Sequence, residues 1–428
     1  MRGQDLPRVP RRTAAAVPGM KDEKEDEMTT SMRVLVVGAG VGGLAAALGI
    51  AARGHRVTVL ERREEIVEPG VGTQLSPNAF HALDRLGVGS AVRERSSFIE
   101  ELRFMDATTG ERIAGMPLTG GYRKRFGNPY AVLDRRALHQ VLLDACRAAD
   151  GIDLLTGRSV AWYEQTDDEI TAVTDSGRRF TGDALIGADG IRSAVRRRLV
   201  GDGEPQVSGH TIYHSVLPLA DVPEDLHPDG ATVWAGPGWH VVHFVHRAGG
   251  AAFLNLAGTR DHGTAEAVVG LPLEKSHVLA QFPELTDAAR RLLARGEEWK
   301  TWVLTDRDPV ADWTDGRAAL LGTAAHPMLP YAVQGLSMTL EDAAVLGAVL
   351  DGDARDVAAR LKTYNALRRD RTARTQLVAR ELGDRLYHPA GPEATARNTM
   401  LSSLTVDELY DKVSWLHGAH DFTGGDGR

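Results

Sequence analysis

The sequence predicts an α/β fold in which a parallel β-sheet with helices is interrupted by a mostly antiparallel β-sheet and is followed by C-terminal helices. Three observations support this prediction. A strand, a glycine-rich turn, a helix and a second strand follow one another between residues 33 and 60. A further apolar strand near residue 185 ends in another glycine-rich turn. Residues 206–310 have the alternating pattern of paired strands, after which one more apolar strand and two long helical patterns follow.

The first strand and turn give the strongest local signal. Val34 to Val37 are a short apolar run typical of a buried strand, and the Ala/Leu-rich segment after Gly43 predicts a helix. Between them lies Gly38-x-Gly40-x-x-Gly43. Glycines at this spacing let the backbone approach a pyrophosphate closely, while the N–H groups of the first helical turn point towards the phosphates.

The second strand completes a βαβ unit. Arg56 to Leu60 predict this strand, which ends on Glu61, roughly 20 residues beyond the glycines. A carboxylate at this place holds the hydroxyls of a ribose in dinucleotide-binding folds. The segment therefore predicts a Rossmann-like dinucleotide site, and the alternative is a glycine-rich packing turn that binds nothing.

Composition limits the partners. The chain carries 50 Lys and Arg against 58 Asp and Glu, a net charge of −8, which gives no support for nucleic acid or an anionic membrane as a partner. The uncharged stretch from Val34 to Ala52 is long enough for a membrane span, but its glycines favour a strand, turn and helix. The single cysteine, Cys146, excludes an internal disulfide framework and a cysteine-cluster metal site. We expect a buried thiol in a cytoplasmic protein that has no metal centre.

Domain boundaries follow from these patterns. Residues 1–31 are rich in Arg, Pro, Lys, Glu and Asp and are predicted to be a disordered tail. The rest divides into the first part of the dinucleotide-binding domain, a substrate-binding domain, the return of the first domain and a C-terminal helical segment with a tail: residues 32–205, 206–310, 311–385 and 386–428.

Three other stretches carry polar groups that suit a ligand site. The glycine-rich residues 70–75 predict a loop in which Gln74 can bond a cofactor. Residues 122–130 predict a basic loop that is either simply solvated or attracts an anionic ligand. Gly187-Ala-Asp-Gly190 follows an apolar strand, so Asp189 is expected at the carboxyl end of a strand, where parallel sheets bind ligands. A plain connection between strand and helix is the alternative there, but it leaves a buried-looking Asp189 unexplained.

Taken together, the glycine motifs resemble those of the single-component FAD-dependent aromatic hydroxylases, the group that includes p-hydroxybenzoate, salicylate and 3-hydroxybenzoate hydroxylases. The resemblance covers nearly the whole chain from about residue 32 and rests on three segments: Gly38-x-Gly40-x-x-Gly43 with Glu61, Gly187-Ala-Asp-Gly190, and Gly322-Thr-Ala-Ala-His-Pro327 with Gln334-Gly335. Four more stretches are most similar to the 3-hydroxybenzoate 6-hydroxylase branch: Thr73 to Asn78, Phe126 to Val132, Asp306 to Pro309, and Trp415 to His417.

This resemblance implies bound FAD, with NADH or NADPH and O2 as co-substrates and a small aromatic substrate. The glycine turn would contact the pyrophosphate, Glu61 the adenosine ribose, and the helix start at Gln334 the isoalloxazine ring. The oligomeric state stays open, a homodimer included. The implied cofactor contacts are Gly38, Gly40, Gly43, Glu61, Arg62, Gln74, Arg135, Asp189, Gly190, Thr323, Gln334 and Gly335.

One of these positions departs from the family pattern. The family usually has Asp directly after the glycine of the third motif, where it bonds the ribityl chain, and this sequence has Thr323. A hydroxyl replaces one hydrogen bond but not a charge-assisted one, which is typically the stronger kind. The substitution bears on the affinity for FAD and not on the fold.

The chemistry implied by the resemblance needs a base. NAD(P)H reduces the flavin, O2 adds to it as a C4a-hydroperoxide, and the distal oxygen attacks an electron-rich ring. The protein has to deprotonate a phenol and keep water out. His240 is the predicted base, and strand alternation places it on the same face as Phe244, where the relatives carry Tyr. Phe244, Pro330 and Tyr331 are the implied substrate contacts, and the alternative for His240 is an ordinary core or surface histidine.

Two other classes of protein are alternatives to a hydroxylase. A flavin-dependent halogenase would share the nucleotide fold, but the Trp-x-Trp-x-Ile-Pro signature of that family is missing from the sequence. A non-catalytic dinucleotide sensor is favoured if Thr323 and Phe244 both weaken the site. Flavin content, together with NADH consumption that a substrate stimulates, distinguishes an enzyme from a sensor.

Overall fold

A computed structural model describes residues 31–68 and 70–422 of the chain. The predicted disordered tail lies outside the described residues except for Ser31. The strands are β1 (Arg33–Val37), β2 (Arg56–Leu60), β3 (Gly72–Leu75), β4 (Ser97–Phe98), β5 (Glu101–Asp106), β6 (Arg112–Pro117), β7 (Ala131–Asp134), β8 (Ile152–Leu155), β9 (Val160–Gln165), β10 (Ile170–Thr174), β11 (Arg179–Gly182), β12 (Ala184–Gly187), β13 (Gln206–Pro218), β14 (Ala231–Gly236), β15 (Trp239–Ala248), β16 (Ala251–Asp261), β17 (Val269–Pro272), β18 (Lys300–Asp306), β19 (Thr314–Asp315) and β20 (Ala318–Leu320).

Helices cover the sheets and fill the C-terminal part of the chain. The α-helices are α1 (Val41–Ala51), α2 (Pro77–Arg85), α3 (Gly89–Glu94), α4 (Gly121–Phe126), α5 (Arg135–Ala148), α6 (Ala194–Leu199), α7 (Lys275–Ala280), α8 (Asp287–Leu293), α9 (Gly335–Val349), α10 (Val357–Leu382), α11 (Gly391–Ser402) and α12 (Val406–His417). A π-helical turn, Gly383–Tyr387, follows α10. Across the described residues no helix is both long enough and apolar enough to cross a membrane.

A mostly parallel sheet forms the first layer, with strand order β19-β20-β12-β1-β2-β8. Strand β1 pairs in parallel with β2 and with β12, and its residues 34–37 are buried, as expected for a strand in the interior of a parallel sheet. The predicted βαβ unit and the second apolar strand are therefore confirmed. Helix α1 begins at Val41, however, and not after Gly43, because Gly43 serves as a close packing point inside its first turn.

A second, larger sheet holds most of residues 206–310, in the order β17-β18-β13-β16-β15-β14-β5-β6. Its neighbours pair antiparallel except for β14 and β5, which are parallel, so the predicted mostly antiparallel sheet is confirmed. Strands β5 and β6 come from the earlier part of the chain and extend this sheet. The sheet thus brings residues 101–117 beside the segment predicted as the substrate-binding domain, whose boundaries stay a prediction.

The predicted loop over residues 70–75 is wrong for residues 72–75. Gly72–Leu75 form β3, which pairs antiparallel with β7. The backbone N–H of Gly72 also donates to Asn255 of the larger sheet at 2.9 Å, and a Cβ on Gly72 would lie only 2.2 Å from that Asn255 oxygen. Long-range pairing therefore overrides the local preference of a glycine-rich segment.

The predicted basic loop over residues 122–130 is also wrong in its first half. Gly121–Phe126 form α4, which buries Tyr122 and Phe126 one turn apart. Both rings stack edge-on against Tyr410 of α12. The aromatic contacts fix a helix where the charged residues alone suggest a solvated loop.

Candidate active site

A cavity of about 730 Å³ lies at the carboxyl ends of β1 and β12, where the glycine-rich turns of the two strands meet. This is the place at which open parallel sheets bind ligands. Most residues predicted from sequence are brought together here. The predicted residues that line the cavity are Gly38, Gly40, Glu61, Arg62, Gln74, Arg135, Asp189, Gly190, Thr323, Pro330, Gln334 and Gly335.

The glycine turn has the shape that a pyrophosphate cradle requires. A Cβ on Gly38 would lie 2.6 Å from the carbonyl oxygen of Ala188, and one on Gly43 would lie 1.8 Å from the carbonyl oxygen of Gly38. At Gly40 a Cβ would meet nothing within 4 Å, because this residue faces open space. Gly43 therefore does not line the cavity but lets α1 pack against the turn, while Gly40 leaves room for a ligand.

Glu61 braces the same turn. Its Oε2 accepts a hydrogen bond from the N–H of Ala39 at 2.8 Å, and its Oε1 accepts one from the N–H of Arg63 at 2.9 Å. The carboxylate is thereby held at the cavity wall beside the first turn of α1. Carboxylate oxygens have lone pairs left for further donors, so this arrangement suits ribose hydroxyls.

Asp189 holds an unsatisfied oxygen at the cavity. Its Oδ2 accepts from the N–H of Ala194 at the start of α6, at 2.7 Å. Its Oδ1 is buried and has no hydrogen-bond partner in the part of the chain that the structure describes. Burial raises the pKa of Asp189 despite the backbone N–H groups that favour its charged form. A buried acceptor without a partner fits a ligand that donates hydrogen bonds there, as FAD does through its hydroxyl groups.

Cationic side chains surround the outer part of the cavity. Arg135 contacts the carboxylate of Glu68 at 2.5 Å and is 42% exposed, and Arg62 is exposed. The Oε1 of Gln74 accepts from the hydroxyl of Tyr130 at 2.7 Å, which orients the amide. Further arginines missed by sequence reasoning also line the wall, because no spacing pattern marks them: Arg63, Arg158, Arg192 and Arg197. The charge suits phosphate groups.

The loop before α9 closes the inner end of the cavity. Gln334 precedes the first residue of α9 as predicted, and its side chain bonds Ser76 at 2.9 Å and Asn78 at 3.0 Å. Thr323 is exposed on the cavity side of a short 3-10 turn, Gly322–Ala324. The side-chain amide of Gln334 is thus hydrogen-bonded to other residues of the protein. Thr323 presents the only side-chain oxygen of its turn.

Val333 in this loop has a left-handed backbone, with a φ of 53°. A β-branched residue at positive φ is strained by about 1–3 kcal/mol. We expect Val333→Gly to raise the free energy of unfolding by about 1 kcal/mol, measured by urea denaturation. Ala332→Gly is the control, since it adds chain entropy at a residue without positive φ and is expected to lower stability. Equal losses in both variants would contradict the strain.

His240 lies in a separate group of rings next to this loop. It is 5% exposed and does not line the cavity. Its Nδ1 lies 2.9 Å from Nε2 of His388, and its ring centroid lies 5.7 Å from that of Tyr331 and 4.8 Å from that of Tyr387. Phe244 occupies the same strand but packs in a neighbouring apolar cluster with Tyr130. The structure therefore joins His240 with Tyr331 and separates both from Phe244.

Electrostatics keep His240 neutral. Burial lowers its pKa well below the usual value, and repulsion from His388 and His210 lowers it further. The hydroxyl of Tyr331 lies 2.5 Å from Nδ1 of His210, and burial raises the pKa of Tyr331. A neutral imidazole is the form that accepts a proton, so the geometry suits a base at neutral pH.

Sequence reasoning missed His210, Tyr387 and His388. They come from β13 and from the segment after α10, and no local pattern connects them with His240. The strand alternation of β13 is the single signal that bears on His210, which is buried as a strand residue facing the loop. Within the described residues no group of His, Cys, Asp and Glu side chains is arranged to hold a metal ion.

Comparison with known proteins decides the family. The family model described as "FAD binding domain" matches residues 31–379. The chain is 43% identical over 385 residues to 3-hydroxybenzoate 6-hydroxylase 1 of Aquipseudomonas alcaligenes, covering 90% of this chain and 97% of that one. The chain belongs to the FAD-dependent aromatic hydroxylases. The predicted resemblance, the fold class and the FAD cofactor are confirmed.

Two more relatives place the hydroxylase among enzymes of varied substrates. It is 33% identical to 3-amino-4-hydroxybenzoate 2-monooxygenase of Streptomyces cremeus, over 90% of this chain and 95% of that one. A crystal structure of Klebsiella pneumoniae HpxO with FAD and uric acid superposes with a TM-score of 0.78 at 26% identity, covering 90% of this chain and 96% of that one. The hydroxylase is thus an aromatic monooxygenase that binds FAD.

Proposed function

We propose that this enzyme hydroxylates a phenolic ring, of the hydroxybenzoate type or larger, with His240 as the base that deprotonates the phenol. The observation that carries the proposal is a buried, neutral imidazole beside the loop that closes the inner end of the cofactor cavity. A phenolate ring is more electron-rich than a phenol, so removing that proton prepares the ring for attack. Bound FAD supplies the reaction with O2 that the side chains cannot perform.

His240 has the free nitrogen that this role requires. Its Nδ1 faces His388, whereas its Nε2 has no hydrogen-bond partner within residues 31–68 and 70–422. The rings of Tyr331 and Tyr387 stand beside it as apolar walls that exclude water. Pro330 lines the cavity and adds no hydrogen-bonding side chain. We therefore expect a substrate whose ring carries few polar groups on the side that faces this residue.

FAD would lie along the cavity with its pyrophosphate at Gly40, its adenosine ribose at Glu61 and its ring system at Gln334-Gly335. The open space at Gly40 and the unpartnered oxygen of Asp189 support this placement. The arginines of the cavity wall would face the phosphates, Arg62 and Arg135 among them. We also propose a cytoplasmic location, which the single buried cysteine supports.

Thr323 sets the strength of cofactor binding in this placement. We expect Thr323→Asp to tighten FAD binding about five- to tenfold, because a carboxylate forms a stronger, charge-assisted hydrogen bond with a ribityl hydroxyl. Thr323→Val is expected to weaken binding, since it removes the hydroxyl and keeps the shape. Flavin fluorescence titration of apoprotein measures both dissociation constants, and an unchanged value in both variants would remove Thr323 from the cofactor site.

Product analysis tests the proposed activity. The purified flavoprotein is incubated with NADH or NADPH, O2 and 3-hydroxybenzoate, and then with larger phenols, and products are identified by mass and retention time. We expect a product heavier by one oxygen atom from at least one phenol. NADH consumption that no phenol stimulates, without any hydroxylated product, would favour a flavin-binding sensor, for which the missing carboxylate at Thr323 is the supporting observation.

A further inference from the structure

We propose that His388 is a positioning residue that carries the substrate's proton from His240 to solvent. The inference rests on the proposed function, in which His240 deprotonates a phenol. It concerns the histidine pair itself: a buried member, His240, in direct contact with a partly exposed one, His388.

The contact has the geometry of a proton path. Nδ1 of His240 and Nε2 of His388 are 2.9 Å apart, the distance of a hydrogen bond, and the rings are tilted by 31° with centroids 5.1 Å apart. An imidazole accepts a proton on one nitrogen and releases one from the other, so a pair in contact can pass a proton through. His240 is almost fully buried, and a proton left on it would have no other exit of this kind among the contacts described.

Backbone contacts hold His388 against the strand that carries His240. The N–H of His388 donates to the carbonyl oxygen of Gly383 at 3.1 Å, across the π-helical turn. Its own carbonyl oxygen accepts from the N–H of Gly238 at 3.0 Å, in the hairpin turn just before β15. Single π-helical turns are rare and occur frequently at functional sites, because the extra residue redirects a side chain. The register of His388 with His240 is thus fixed from both sides.

The electrostatics of the pair favour transfer of a proton through His240 and His388 over its retention on either imidazole. Burial lowers the pKa of His240, and repulsion from His388 and His210 adds to that shift. Burial likewise lowers the pKa of His388 to about 4, with His210 adding to the shift and Asp261 opposing it. The histidines therefore disfavour a charge on one another, and the exposed carboxylate of Asp261 attracts the proton that leaves His388.

The remaining groups around the pair are hydroxyls that do not compete for the proton. Tyr331 is hydrogen-bonded to His210, and burial raises its pKa. Burial raises the pKa of Tyr387 to about 12, and its hydroxyl donates to the carbonyl oxygen of Tyr331 at 3.2 Å. Both phenols stay protonated across the working range of the enzyme.

The transfer balances without an added reagent. The phenol O–H bond breaks as a bond forms between that proton and Nε2 of His240. The Nδ1–H bond of His240 breaks as the proton joins Nε2 of His388, and His388 releases its Nδ1 proton to water. The phenol becomes phenolate, both histidines end neutral, and one hydronium ion leaves.

A rapid-mixing measurement of phenol ionisation tests the proposal. Oxidised flavoprotein is mixed with 3-hydroxybenzoate, and in parallel with unsubstituted phenol, and ultraviolet absorbance follows the appearance of bound phenolate. We expect His388→Gln to slow this step about tenfold or more, since Gln keeps a hydrogen bond to His240 but cannot accept and release a proton. Ligand affinity and flavin content should be unchanged, and added imidazole should restore the rate.

His262→Gln is the matched control, because His262 directly follows β16 of the same sheet and contacts Tyr213 outside this group. It is expected to ionise the ligand at the wild-type rate. Three results would overturn the proposal. The first is a wild-type ionisation rate in His388→Gln, and the second is a loss of ligand binding in that variant without rescue by imidazole. The third is a wild-type protein that binds both ligands and leaves them un-ionised. If the wild type ionises the ligand but forms no hydroxylated product, the proposed function is rejected and proton transfer through His388 is retained. If the wild type forms the product and His388→Gln ionises the ligand at the wild-type rate, the proposed function is retained and proton transfer through His388 is rejected.

Discussion

Arg368→Met is expected to destabilise the enzyme by about 3–5 kcal/mol, because it leaves two buried carboxylates without their shared partner. Arg368 is 1% exposed and forms ion pairs of 2.7 Å with both Glu341 and Asp342, which are fully buried. Asp342 in turn accepts from the N–H of Gly322 at 3.0 Å and lies 2.5 Å from Nε2 of His326. The loss therefore reaches the turn that carries Thr323.

Urea denaturation of the two proteins measures this loss. Arg369→Met is the matched control, since Arg369 is the next residue along α10, is 46% exposed and pairs only with the exposed Asp370 at 3.3 Å. Its effect is expected to stay within about 0.5 kcal/mol. Equal midpoints for Arg368→Met and the control would contradict the account of α9 and α10 as elements joined by buried charge.

The same cluster gives stability a pH dependence. Burial by itself would raise the pKa of Glu341, but Arg371 and Arg368 outweigh it and lower that pKa. Burial would also raise the pKa of Asp342, and His326 and Arg368 reverse the sign. A pKa lowered by folding means stability that is present at neutral pH and is lost as the pH falls through the lowered pKa. In Arg368→Met this acid dependence should begin at higher pH.

His240→Gln is expected to lower kcat for phenol hydroxylation by about 100-fold or more, while FAD stays bound. Glutamine keeps a polar side chain of similar size but cannot accept the phenolic proton. Because burial and two neighbouring histidines lower the pKa of His240, the base stays neutral through pH 6.5. The wild-type kcat/KM should therefore not fall on the acid side until well below that pH.

A histidine on the opposite face of the same strand is the control for this substitution. His243 is buried as well, and burial lowers its pKa to about 4, but it accepts a hydrogen bond from Trp234 at 3.0 Å and has no contact with the ring group around His240. His243→Gln is expected to retain turnover. Full activity in His240→Gln, with product formed at the wild-type rate, would remove His240 from the mechanism.

Local patterns predicted the cofactor cavity, because each of its parts is encoded in a short segment. The glycine spacing, Glu61 at the end of β2 and Asp189 after β12 all follow strands that the sequence marks clearly. Parallel strands then bring their carboxyl ends to one edge of the sheet. Patterns within single segments were therefore enough to predict these cavity residues.

The substrate side depends on contacts between distant segments. His388 lies 148 residues from His240, and the backbone bond from the N–H of Gly238 to the carbonyl oxygen of His388 joins the two distant segments. Strand β3 was missed for a similar reason, since its pairing with β7 and the bond to Asn255 decide its structure. Periodicity along one segment contains no information on these partners.

One experiment decides whether the protein is a FAD-dependent phenol hydroxylase. The visible absorption spectrum of the purified protein is recorded, and NADH oxidation is then followed in the same cuvette with and without 3-hydroxybenzoate or a larger phenol. We expect the absorption bands of bound flavin and an NADH oxidation that a phenol stimulates and that yields a hydroxylated product. A flavin-loaded protein whose NADH oxidation no phenol changes, or a colourless protein that added FAD does not restore, would contradict that expectation.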